Sequence, residues 1–130
     1  MAPSARQRGT AAVEFALVLP LLLVIALGLV EVGLVVRDRL LVESGARAGA
    51  RAASIADDPA GIRAAVSGAA PSLDAGALGI SVMRAGGRGE PVTVTVTYTS
   101  VVRVPFVGWL LGGRDAVHMD ATATDRQEFG

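Results

Sequence analysis

From Ala11 to Val36 the chain is apolar at every position except Glu14 and Glu31, and sixteen residues between them, Phe15 to Val30, carry no charge. A helix that crosses a bilayer needs about 20 apolar residues, with a range of roughly 17 to 25. The run is long enough only if the glutamates sit at the interfaces. Geometry permits this: the two are 17 positions apart, and at about 1.5 Å per residue that is about 25 Å along a helix. The hydrocarbon core is about 30 Å thick, so each carboxylate can lie close to one face. A chain of 130 residues is one domain at most, and this one gives part of its length to the membrane. Its mean hydropathy of +0.52 agrees with that division.

Arg6 and Arg8 precede the run in a short polar segment. The positive-inside rule places that end in the cytoplasm and the rest of the chain outside. Helical periodicity continues past the membrane. Leu34, Leu41, Gly45, Ala48, Ala52 and Ile55 recur on one face, and Arg39, Glu43, Arg47 and Arg51 line another, with Glu43 placed to pair with Arg47. One continuous helix is predicted from about Ala11 to about Ala56, ended by Asp57 and Asp58. Asp58 before Pro59 reads as an N-cap with Pro at the first helical position, opening a second helix that Pro71 stops. Ile62 and Val66 share its apolar face.

The period then changes. Val92, Val94, Val96, Tyr98 and Val102 alternate with threonines, the pattern of a strand with one buried and one wet face. Leu78 to Arg84 is a strand before it, joined through Gly86, Gly87 and Gly89. Ala116 to Thr124 is a third, with Val117, Met119, Ala121 and Ala123 inward. The expected fold is α+β: a long N-terminal transmembrane-to-extracytoplasmic helix packed on a small antiparallel sheet. The expected divisions are a leader over 1–9, a transmembrane helix over 10–36, its outer continuation over 37–56 and a small α+β domain over 57–130.

Composition removes several kinds of function. There is no Cys, so a disulfide framework, a thiol nucleophile and a cysteine metal site are excluded. His118 is the one histidine, on the wet side of a strand with no triad around it. Twelve arginines balance twelve acids, which argues for no polyanionic partner and no nucleic acid. Gly86-Gly87-Arg88-Gly89 lacks the Lys-Ser/Thr of a phosphate loop. Asp57 and Asp58 suit helix capping better than calcium. No cofactor, metal or small-molecule substrate is expected, and no enzyme.

The most informative words are at the start: Arg8-Gly9-Thr10-Ala11-Ala12-Val13-Glu14-Phe15-Ala16, then Leu27-Gly28-Leu29-Val30-Glu31-Val32-Gly33, then Ala46-Arg47-Ala48-Gly49-Ala50-Arg51-Ala52-Ala53. The first resembles the processing site of type IV pilin precursors, and the three together resemble TadE-like pseudopilins of the tight-adherence (Flp) pilus. The resemblance covers about a third of the chain. It implies bacterial origin and cleavage between Gly9 and Thr10 by a prepilin peptidase on the cytoplasmic side. It also implies a role for Glu14, fifth in the mature chain, in meeting the N-terminal amine of a neighbouring subunit during assembly. Implied partners are other pilins or pseudopilins, the pilus assembly platform and the bilayer. The implied location is the cytoplasmic membrane, single-pass, or an extracellular pilus. The mature chain would begin with Thr10 where major type IV pilins begin with Phe, and it is far larger than the Flp major pilin. Both points argue for a pseudopilin or minor pilin over the main fibre subunit.

Other readings stand beside these. Phe15 and Pro20 belong to the span, Pro20 as its kink. Glu31 either contacts a partner helix or marks the outer interface. Gly45 and Gly49 suit close packing on the sheet better than dimerisation. Val104 to Leu111 is an apolar loop for core, membrane surface or partner. The alternative function is a signal-anchored or secreted binding protein unrelated to pili, with Ala26-Leu27-Gly28 as a small-x-small cleavage site. Glu14 at the head of the apolar stretch speaks against it.

Overall fold

The computed structural model describes residues 5–110 and 112–130; Met1 to Ser4 of the expected leader and Leu111 of the expected loop lie outside the described residues. One helix, α1 (Ala5–Ile55), carries the architecture. Its 51 residues extend about 77 Å at 1.5 Å per residue. It starts before the expected Ala11, with the residues from Arg6 to Thr10 already helical. Thr10 Oγ1 donates to the Arg6 carbonyl at 3.0 Å, the back-bond of a helical threonine. Pro20 lies inside α1, which remains one helix through it.

The chain then forms α2 (Pro59–Ala69), a 3-10 turn (Ala75–Ala77), β1 (Leu78–Arg84), β2 (Pro91–Val101), α3 (Pro105–Leu110) and β3 (Ala116–Arg126). The strands make an antiparallel meander in the order β1-β2-β3. Its register aligns Ile80, Val96 and Ala121 across the sheet, and Val82, Val94 and Ala123 beside them. Together with α1 this is the α+β arrangement expected of the sequence.

The alternation on β2 holds residue by residue. Val92, Val94 and Val96 are fully buried. On the other face Thr93 bonds Thr124 at 2.9 Å and Thr95 bonds Thr122 at 3.1 Å, cross-strand pairs that fix the register. Each buried valine contributes about 1.5–3 kcal/mol.

The helix stripe facing this sheet differs from the expected one. Val42, Ala46, Ala50 and Ala53 are the buried apolar side chains of α1, and Gly45 and Gly49 are buried between them. Leu34, Leu41, Ala48 and Ala52 are only half-buried, and Ile55 is exposed. The stripe is rotated by about one residue because its inner end is polar: Glu31 and Asp38 lie on it, 2% and 1% exposed. Following the large apolar residues leads to the neighbouring face.

Gly45 and Gly49 pack within the domain, as expected, but first against α2. A Cβ on Gly49 would stand 2.8 Å from Val66 Cγ2 and 3.1 Å from Val94 Cγ1. Small residues thus let α2 and the sheet approach α1 together, with Ile62 and Val66 supplying the apolar face of α2. Asp58 caps α2 by accepting from Ala60 N at 3.2 Å.

Three further differences have local causes. The Val104–Leu111 segment is not a plain loop: α3 forms within it, with Val107 turned into the protein. Glu43 pairs with Arg39 at 3.0 Å, not with Arg47. Asp57 does not end α1 alone. Arg84 of β1 donates to the carbonyls of Ala53 at 2.8 Å and Ala56 at 3.4 Å, and pairs with Asp57 at 3.1 Å. A cation there satisfies unpaired carbonyls at a helix C-terminus and opposes its dipole. Nearby, Arg51 meets Glu128 at 2.7 Å and Asp125 at 3.7 Å. The hydrogen bond to Glu128 and its charge hold the Arg51 guanidinium more firmly in its charged form.

Candidate processing and assembly site

Two places on α1 carry the chemistry of interest. The first is its N-terminal end. Gly9 and Thr10 are exposed and helical, and a Cβ on Gly9 would meet nothing within 4 Å. Arg6, Gln7, Thr10, Ala11 and Glu14 line one shallow face, as residues three and four apart do on a helix. Glu14 is therefore one turn from Thr10, on the same side. Phe15 follows it, 64% exposed, and Pro20 is exposed further along.

From residue 6 to residue 23 every side chain of α1 is exposed, and the first buried one is Glu31. Between these, only Val24 and Gly28 are half-buried, so the helix is nearly bare from residue 6 to Val30. Its most apolar window has a mean hydropathy of 2.7 and none of it is buried, which makes it a candidate membrane span. Thr10 to Val30 alone is 21 residues, about 31 Å, equal to the hydrocarbon thickness.

The second place is where α1 leaves that bare stretch. The sequence left Glu31 between two roles, and the structure gives it an intramolecular one. Its Oε1 accepts from the backbone N of Arg103 at 3.1 Å. Two turns on, Asp38 Oδ2 accepts from Ser100 Oγ at 2.7 Å and stands 3.8 Å from Arg103 Nη2. Two buried acids on one helix face thus hold residues 100–103, the corner where β2 turns toward α3. The exit of α1 from the bare stretch is thereby fixed to the sheet by charge-assisted bonds. Glu31 Oε2 is buried with no hydrogen-bond partner among the described residues.

Asp38, Ser100 and Arg103 were not among the candidates read from sequence. Asp38 stands between Arg37 and Arg39 and resembles an interfacial charge. The available signal was its spacing, seven from Glu31 and four from Val42, in phase with the buried stripe. Among the described residues no cluster of three or more His, Asp or Glu side chains is placed to hold a metal. His118 is exposed and shares a hydrogen bond of 3.0 Å with Thr99.

A search of curated proteins and a search of solved structures each find no match. A comparison with protein-family models does find one, and its limits follow α1: it begins at Gly9 and stops four residues before the helix ends. Residues 9–51 match the family model described as TadE-like protein, and over that segment the chain is similar to that family.

Proposed function

We propose that this chain is a pseudopilin or minor pilin of a tight-adherence (Flp-type) pilus, cut after Gly9 by a prepilin peptidase and acting in pilus assembly, with no catalytic role of its own. The observation that carries the reading is the TadE-like match, which at family level links the chain to Tad pilus-associated pseudopilins. The match begins at the residue whose carbonyl the peptidase would release. In this reading Arg6 and Arg8 hold the inner end in the cytoplasm, α1 spans the inner membrane and the sheet domain lies outside. The partners are the peptidase, other pilins or pseudopilins, the assembly platform and the lipid bilayer.

The helix explains what cleavage would do. Each N–H of an α-helix pairs with the carbonyl four residues back. Cutting after Gly9 removes the acceptors of Thr10, Ala11, Ala12 and Val13, and creates an α-amine on Thr10. The new end then carries three unpaired amide N–H groups, the positive pole of the helix dipole and the full positive charge of the amine. Glu14 is the nearest acid, one turn inside. A carboxylate costs about 2.5–3.5 kcal/mol at mid-membrane and less near an interface. Neutralisation by a neighbouring subunit's α-amine offsets that cost and sets the axial position of one subunit on the next.

Glu14→Gln tests this, since it keeps shape and hydrogen bonding and removes the charge. The variant should insert and be cut after Gly9 as the parent is, and should fail to co-purify with other pilin-like proteins. Normal assembly by Glu14→Gln would remove charge pairing from the mechanism.

A further inference from the structure

α3 and the outer end of the bare helix enclose an apolar cleft of about 410 Å³. On one side it is lined by Val24, Ile25, Gly28 and Val32 of α1, and on the other by Phe106 and Leu110 of α3. We propose that this cleft seats an acyl chain of an outer-leaflet phospholipid, and that α3 anchors the extracytoplasmic domain to the membrane surface through Trp109. The inference rests on the membrane-span reading of α1.

Depth is the first argument. If the hydrocarbon core covers Thr10 to Val30, Val24 lies about 9 Å below its outer boundary, and Ile25 about 7.5 Å. Interfacial helices bury their apolar faces roughly 5–10 Å into the boundary region. The inner part of the cleft, from Val24 to Leu29, therefore lies at acyl-chain depth because it is built from the span itself.

The composition of α3 is the second. Trp109 is 70% exposed, Leu110 65% and Phe106 46%, all within six residues. Water would penalise such a cluster, while an interface rewards it, and Trp most of all. Phe106 and Trp109 hold each other, ring centroids 5.6 Å apart. No charge occurs from Val104 to Gly113, and Arg103 and Arg114 bracket that stretch. Two exposed or half-exposed cations at the edge of an apolar patch suit anionic phosphates. Glu31 is the one polar residue lining the cleft, and its buried Oε2 lacks a donor among the described residues.

Trp109 is the protein's single tryptophan, so its fluorescence reports on α3 alone. The full chain is reconstituted at high dilution into vesicles of phosphatidylethanolamine and phosphatidylglycerol. The acyl chains carry bromine either near the headgroup or near the bilayer centre. The expected result is loss of most Trp109 emission with the shallow bromine, a smaller loss with the deep one, and protection from aqueous acrylamide, all unchanged on further dilution in lipid. Emission untouched by bromine and quenched by acrylamide would overturn the inference while α1 stays embedded. Protection from acrylamide that fades on dilution, without bromine quenching, would assign the cleft to a second copy of the chain and equally overturn it. Extraction of the chain from the vesicles by alkaline carbonate would reject the span and this inference together.

Discussion

Replacing Asp38 and Ser100, singly and together, measures how firmly the domain is fixed to α1. The carboxylate is 1% exposed and takes a hydrogen bond of 2.7 Å from Ser100, itself 1% exposed. Arg103 is a weaker partner: its guanidinium is 3.8 Å away and about half exposed, so solvent screens it. Ser100→Ala leaves a buried carboxylate facing that distant cation alone, which should cost about 3 kcal/mol. Asp38→Ala leaves a buried hydroxyl without its acceptor and opens a small void, for about 2–3 kcal/mol. In the double variant neither polar group remains to be left unpaired. Its loss should fall short of the sum of the single losses by about 2 kcal/mol, the size of a hydrogen bond to a charged group. Pulse proteolysis of the full chain in detergent micelles across a urea series gives each value. Additivity within about 0.5 kcal/mol would show that the two groups do not act as a unit, and the clamp would be refuted.

Two further substitutions probe the packing. Gly49→Ala gains about 1 kcal/mol of helix propensity but drives a methyl against Val66 and Val94, at a cost of about 1–3 kcal/mol. It should lower stability, whereas Gly68→Ala, with nothing within 4 Å, should raise it slightly in the same urea series. Val96→Arg places a charge at a fully buried position and should lead to degradation of the protein in cells. Thr95→Arg on the opposite face loses only the bond to Thr122 and should accumulate normally, as immunoblotting of membrane fractions would show.

What was legible in the sequence followed from period and punctuation. The Val/Thr alternation of β2 needs no knowledge of its partners, because a strand with one wet face must read that way. Asp58-Pro59 marked the start of α2 for an equally local reason. The burial phase of α1 was harder. A long helix with apolar residues on several faces shows its buried side only once the domain has folded against it, and here that side contains two acids. Their acceptance depends on Ser100 and Arg103, more than sixty residues away in sequence. No local pattern encodes that partnership. Arg84 was unread for the same reason: its function as a cap for α1 arises from the meander, which returns β1 to the helix end. At the N-terminal end of α1 the reverse holds. Gly9, Thr10 and Glu14 touch no other part of the described chain beyond their own helix. Their reading comes from the words of the sequence, and the geometry adds their shared face.

The N-terminal sequence of the mature protein, read by mass spectrometry from membranes of cells that hold a prepilin peptidase, tests the central claim most directly. A chain beginning at Thr10, lost when the peptidase is deleted or when Gly9 is changed to Leu, is the expected result. A chain beginning at Leu29, or one trimmed to Thr10 despite Gly9→Leu, would contradict it.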